Sequence, residues 1–204
     1  MISSQKALRQ FHAIEKLAGK LRLAADEWDE DWKTLIATLM SARTTDAKTI
    51  PTAEGLFKKY NTLEKLSKAS YDDIAKIIRS VNFYKNKTRY IMKLSKKLIE
   101  EYDGNVPHVF EELIELPGVG RKTANVFLAE NGHGRIGVDT HVNWISKKMG
   151  WTKSDKQAEV ERDLENLFPK KLWGKLNWVL VRFGQTYKSR KEKNRILDGI
   201  KKII

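Results

Sequence analysis

Apolar residues recur along this chain at intervals of three and four, the spacing that collects side chains on one face of an α-helix. Trp32, Leu35, Ile36, Leu39 and Met40 make one stripe, and Ile91, Leu94, Leu98 and Tyr102 another. Val160, Leu164 and Leu167 continue the pattern, followed by Leu172, Leu176, Val179, Leu180 and Phe183. Few segments show the strict alternation of a half-buried strand, so the pattern predicts an all-α fold. Ser70-x-x-Asp73 and Ser154-x-x-Gln157 read as capping boxes at helix starts. Gly104, Gly118, Gly120, Gly132, Gly134 and Gly150 punctuate the ends. No internal repeat, low-complexity tract or flexible linker interrupts the pattern.

One interruption is different in kind. Leu116-Pro117-Gly118-Val119-Gly120-Arg121-Lys122-Thr123-Ala124-Asn125 reads as a tight hairpin opening a helix, with Val138-Asp139-Thr140-His141 following. Pro117 marks the end of the preceding helix. Gly118 and Gly120 permit a positive φ and let the backbone come close to a ligand. The N–H groups at the new helix's start have no intrahelical acceptor and favour an anion such as a DNA phosphate. Lys122 falls in that helix's first turn. There the positive end of the helix dipole and the neighbouring Arg121 disfavour an ammonium, and a free amine is a nucleophile and Schiff-base former. Asp139 precedes a helix start, where a carboxylate is an ordinary N-cap. Capping does not exclude a chemical role, because a capping carboxylate has a fixed orientation that suits electrostatic stabilisation of a developing positive charge.

Composition narrows the class. At 204 residues, with 41% hydrophobic residues and six Trp, the chain suits one compact domain or two small lobes. A net charge of +13 favours a polyanion, with nucleic acid first. Cysteine is absent, which excludes disulfides and any cysteine-ligated cluster or zinc site. His12 and His108 show no ligand spacing, so no metal is assigned. The segment Met1 to Phe11 is too polar for a secretory leader, and no apolar run is long enough for a membrane helix. The expectation is a soluble intracellular monomer, in the cytoplasm or nucleoid, or in the nucleus of a eukaryote.

The two active-site segments LPGVGRKTAN and VDTH resemble, letter for letter, those of the helix-hairpin-helix DNA glycosylases of the endonuclease III branch. Three segments upstream carry the resemblance further: Ser41-Ala42-Arg43-Thr44-Thr45-Asp46, Asn82-Phe83-Tyr84-Lys85-Asn86-Lys87, and Gly104-Asn105-Val106-Pro107. The match is good from Trp32 to about Trp151 and loose elsewhere. The resemblance implies two helical lobes. One is a helical barrel at 27–137, including the helix-hairpin-helix at about 110–131. The other is formed by both termini, 1–26 plus 138–204. It implies double-stranded DNA with a damaged base or abasic site as partner, lying in a cleft with Lys122 and Asp139 on its two walls. Lys122 would attack C1′ of the sugar, form a Schiff base and cut the strand by β-elimination. Asp139 would stabilise the sugar cation or help activate Lys122.

The same resemblance assigns further residues. Gly118, Val119, Gly120, Arg121 and Thr123 would grip phosphate. Arg43 stands where relatives often carry Gln, and would fill the gap left by a flipped nucleotide. Phe83 would wedge between bases, or else pack in the core; the pattern favours neither. Asp46 would lie near the base pocket, or cap the following helix. His141 is a DNA contact or a structural residue. The loop from Gly132 to Gly137 has no proline and is about one residue shorter than in relatives. Those relatives usually end with four cysteines holding a [4Fe–4S] cluster beside a basic loop. Here the corresponding run keeps only the charge, in Lys188, Arg190, Lys191, Lys193 and Arg195, with salt-sensitive phosphate binding as the expected role. Packing of Trp173, Trp178, Phe183 and Ile196–Ile204 would take over as a staple. No cofactor is expected beyond a monovalent cation at the hairpin carbonyls. The leading expectation is a bifunctional glycosylase/lyase removing a damaged, oxidised pyrimidine. A mismatch-directed thymine/uracil glycosylase and a non-catalytic DNA-binding module remain as alternatives.

Overall fold

The structure is a computed structural model describing residues 2–203; Met1 and Ile204, the outer ends of the expected terminal lobe, lie outside the described residues. Among the described residues it contains twelve α-helices, two 3₁₀ turns and no strand. In chain order they are α1 (Ser4–Leu17), α2 (Asp31–Ser41), α3 (Asp46–Lys59), α4 (Leu63–Ser67), α5 (Tyr71–Ile77), α6 (Tyr84–Tyr102) and α7 (Phe110–Ile114). Then come α8 (Arg121–Glu130), α9 (Thr140–Met149), α10 (Gln157–Leu167), α11 (Trp173–Thr186) and α12 (Arg190–Lys201). The chain divides into two compact units. One is Arg22–Phe127; the other joins the chain up to Leu21 with the chain from Leu128 onward. Among the described residues no helix is long and apolar enough to cross a membrane.

In the Arg22–Phe127 unit the apolar stripes do what their spacing predicts. Leu35, Ile36 and Met40 of α2, and Ile91, Leu94 and Leu98 of α6, are fully buried. The long helix α6 packs against α2, α4 and α5. Phe57 of α3 receives Trp28 and Trp32 edge-on, with ring centroids 5.0 and 5.2 Å away. Ser70 caps α5 as expected, accepting a bond from the Asp73 amide while its hydroxyl donates to the Asp73 carboxylate. Helix α6 ends on two successive left-handed residues, Asp103 and Gly104, and the Gly104 amide returns to Leu98 O.

In the other unit α1 packs on α11 and α12, and α9 on α10, α11 and α12. A buried polar staple joins the two ends of the chain. Gln10 of α1 accepts a bond from Trp151 Nε1 at 2.9 Å and donates to Lys201 O of α12. Trp151 packs edge-on against Phe168, which also meets Phe11. Helix α12 buries Leu197 and Ile200, and Lys148 pairs with Asp198 at 2.6 Å. Phe183 is fully buried, as the expected packing role requires, whereas Trp173 and Trp178 are half-exposed. The capping box expected at Ser154 is not formed. Lys156 is the N-cap of α10, and Ser154 instead accepts from the Lys156 amide and bonds Glu159. A serine hydroxyl bonding two residues ahead makes a turn before the helix rather than a cap on it.

Candidate active site

The hairpin lies between α7 and α8. Leu116 and Val119 point into the core, at 2% and 5% exposure, which turns the backbone of Gly118 and Gly120 outward. Gly118 has φ 80°, and a Cβ there would sit 2.6 Å from Tyr90 Cγ and 2.9 Å from Leu39 Cδ1. Gly120 does not use a positive φ, contrary to expectation, and a Cβ there would meet nothing within 4 Å. The first glycine is thus required by shape, while the second leaves an open surface in front of α8. Ala124 N bonds Gly120 O to open the helix, so the amides of Arg121, Lys122 and Thr123 come before its first internal bond. The Arg121 guanidinium lies over the Phe110 ring at 5.0 Å, tying the start of α8 back to α7. Thr123 is buried. Lys122 is half-exposed, and its Nζ has no hydrogen bond or ion pair among the described residues.

Asp139 is the N-cap of α9. Its Oδ1 accepts from the Val142 amide at 2.8 Å, and Oδ2 has no partner among the described residues. One oxygen fixes the carboxylate and the other stays available. The loop before it is anchored: Ile136 and Val138 are buried, and Asn177 Nδ2 of α11 donates to Gly137 O. Sequence reasoning missed Asn177, because an Asn on a helix's apolar face carries no local signal of what it bonds.

Arg43 and Phe83 occupy facing turns of the Arg22–Phe127 unit. Both are left-handed, with φ 57° and 59°. That conformation costs an ordinary residue about 1–2 kcal/mol and persists where its surroundings enforce it. Phe83 is 57% exposed, which removes core packing as its explanation. The Arg43 guanidinium sits over its ring at 5.3 Å. Lys87, one turn into α6, enforces the arrangement. Only 5% exposed, it donates to Met40 O at 2.7 Å, Ala42 O at 2.6 Å and Thr44 Oγ1 at 3.2 Å. Asn82 donates through Nδ2 to Arg43 O and through its amide to Thr44 Oγ1. Burial pulls the Lys87 ammonium down to about 8, while its three acceptor oxygens pull the other way. A cavity of about 240 Å³ opens between these turns and the hairpin, lined by Arg43, Phe83, Lys87, Tyr90 and Gly118.

Of the remaining residues, Asp46 is the first residue of α3, whose N-cap is Thr45; a carboxylate there complements the helix dipole without capping. His141 packs so closely on Gly184 of α11 that a Cβ at 184 would enter its ring. Lys188 and Arg190 are exposed, and the Arg190 guanidinium stacks 4.0 Å over Trp144. Lys193 turns inward and donates to Gly184 O. His12 pairs with Glu15 and His108 with Asp31. No cluster of three or more His, Asp or Glu able to hold a metal exists among the described residues. The chain offers no thiolate, so an iron–sulfur cluster does not fit it.

Residues 36–170 match the model of the HhH-GPD superfamily base excision DNA repair proteins. Endonuclease III of Thermotoga maritima is 39% identical over 176 residues, covering 84% of this chain and 83% of that protein. Endonuclease III of Bacillus subtilis is 39% identical over 156 residues, covering 76% and 71%. A solved structure of a trapped endonuclease III–DNA covalent intermediate, in an estranged-adenine complex, superposes with a TM-score of 0.85 at 34% identity, covering 93% of this chain and 90% of that one. The chain belongs to the endonuclease III family of that superfamily.

Proposed function

We propose that this base-excision repair glycosylase is bifunctional, with Lys122 as nucleophile and Asp139 as the carboxylate that stabilises the cationic sugar. The observation that carries the reading is Lys122 itself: a half-exposed lysine in the first turn of α8, with no partner of its own. The Lys122 amine forms a bond to C1′ as the bond to the base breaks, and the base leaves with the electron pair and takes a proton. Ring opening gives the imine. Loss of a C2′ proton then expels the 3′ phosphate. Asp139 suits its part because Oδ1 is held by the Val142 amide while Oδ2 is free. A covalent intermediate trapped on DNA in a 34%-identical relative supports the same chemistry here.

The partner in this reading is double-stranded DNA carrying a damaged base or an abasic site. The exposed backbone at Gly118 and Gly120, with the first amides of α8, would bind phosphate. The side chains of Val119 and Thr123 are buried, so their share of that contact is main-chain. No step calls on an iron–sulfur cluster or on a cation at the hairpin. Arg43 supports a second reading of specificity. Its donor-only guanidinium matches the O6/N7 acceptor pair of guanine better than adenine, which favours pyrimidines mispaired with guanine.

Borohydride trapping tests the proposal. Duplexes carrying thymine glycol, a G·T or G·U mismatch, or an abasic site are incubated with wild type and Lys122→Ala. A covalent complex with wild type that is lost in the variant is expected, and the substrate that gives it names the base. Tight duplex binding without trapping or nicking would leave a DNA-binding module instead.

A further inference from the structure

We infer that Lys87 is a positioning residue for strand opening: its buried ammonium holds the Arg43 and Phe83 turns together as one preformed wedge. The inference rests on the DNA glycosylase reading and adds to it a residue that touches neither the base nor the sugar.

The geometry leads there directly. Arg43 follows the last turn of α2, and Phe83 precedes the first turn of α6. Two turns so far apart in sequence have no local reason to keep a common register. Lys87 supplies one. Its Nζ closes the C-terminal end of α2 through Met40 O and Ala42 O, and reaches Thr44 Oγ1 beyond Arg43. An ammonium there also complements the negative end of the α2 dipole. Thr44 Oγ1 in turn receives the Asn82 amide, and Asn82 Nδ2 holds Arg43 O. Arg43 and Phe83 are thereby braced from both sides in a backbone conformation that neither residue type prefers.

The consequence is functional. Filling a gap in a base stack demands side chains already aimed outward, because ordering them during insertion would cost affinity for the opened state. Phe83 and Arg43 are exposed while their backbone carbonyls are held, Arg43 O by Asn82 Nδ2 and Phe83 O by the Asn86 and Lys87 amides. Without the ammonium, Met40 O and Ala42 O lose their side-chain donor and the Arg43 turn is free to relax. The wedge would still exist as residues but not as a shape. Neither the hairpin nor Lys122 depends on these bonds, so the chemistry at an already opened sugar should survive.

The test compares single-turnover cleavage at an abasic site in a fully paired duplex with cleavage at the same site inside a short unpaired bubble. We expect Lys87→Met to lower the duplex-to-bubble rate ratio at least tenfold. Asn82→Ala, which removes one bond at an exposed position, should lower it by a smaller factor in the same direction. Unfolding midpoints are measured alongside, and if Lys87→Met does not fold, the Asn82→Ala ratio decides. A lysine serving stability alone would depress both rates together, and an unchanged ratio in the folded variants would overturn the inference. A wild type that cleaves neither substrate would sink the glycosylase/lyase reading and the inference with it. Cleavage by wild type on both, with an unchanged ratio in the variants, would leave that reading standing.

Discussion

Replacing Gly118 and Gly120 by alanine, one at a time, separates shape from ligand access in the hairpin. At Gly118 an added methyl meets two costs. The left-handed backbone, φ 80°, penalises any Cβ by about 1–2 kcal/mol. The methyl also lands 2.6 and 2.7 Å from Tyr90 and 2.9 Å from Leu39, and forcing volume into packed surroundings costs about 1–3 kcal/mol. Together these give about 2–5 kcal/mol, or a fall in unfolding midpoint of roughly 5–15 °C for a chain of this size. At Gly120 neither cost applies. The substitution is neutral or stabilises by about 0.4–1 kcal/mol through the unfolded chain. If DNA phosphate approaches the backbone there, the methyl obstructs a charge-assisted hydrogen bond of about 1.5–3 kcal/mol, so duplex affinity falls roughly tenfold or more. Thermal unfolding by far-UV circular dichroism and fluorescence anisotropy on an abasic-site duplex at fixed salt read the two effects. A Gly118→Ala protein that unfolds within about a degree of wild type would refute the packing argument. Unchanged affinity in Gly120→Ala would refute the phosphate contact.

Asp139→Asn keeps a good N-cap, so the unfolding midpoint should barely move, while single-turnover base excision falls about 10²–10³-fold; wild-type excision rates would remove the carboxylate from the mechanism. Lys87 imposes a definite pH dependence. Its folded value of about 8 lies below the ordinary 10.5, so between those limits the unfolded chain binds the extra proton. Stability therefore rises as pH climbs through that window, by at most about 3 kcal/mol; burial lowers Lys193 as well, so urea unfolding should show a slope in both proteins, steeper in wild type than in Lys87→Met. Lys188→Ala should reduce the slope of log affinity against log salt by about one, with no loss of stability. Arg190→Ala should also cost about 0.5–1 kcal/mol of folding stability through its stacking on Trp144, and an equal salt slope in both variants and wild type would remove this segment from the DNA interface.

The local features of the fold are those written most directly in the sequence. The five residues of the stripe Trp32 to Met40 are all buried on one helix, as a period near 3.6 predicts, but α2 also buries Lys33, Thr34, Ala37 and Thr38, which the stripe alone does not show. Lys122 and Asp139 stand at helix starts, as the hairpin and the capping pattern predict. Ser154 shows where such reading stops: the same serine can cap a helix or close a turn before it, and which bond forms depends on where the chain must go next.

What the sequence determined by itself was an all-α chain, a hairpin with a lysine behind it, a large positive charge and the lack of any thiolate. Each of these is written in composition or in spacings of a few residues. Only tertiary structure decided that Phe83 faces solvent, that His141 is packed against Gly184, that Asn177 anchors the loop before Asp139, and that Lys87 binds the turn at Arg43. Those outcomes join residues tens of positions apart, where no local periodicity operates. A buried lysine and a solvated one look the same in a sequence. They differ only in which carbonyls the folded chain brings within reach of the ammonium.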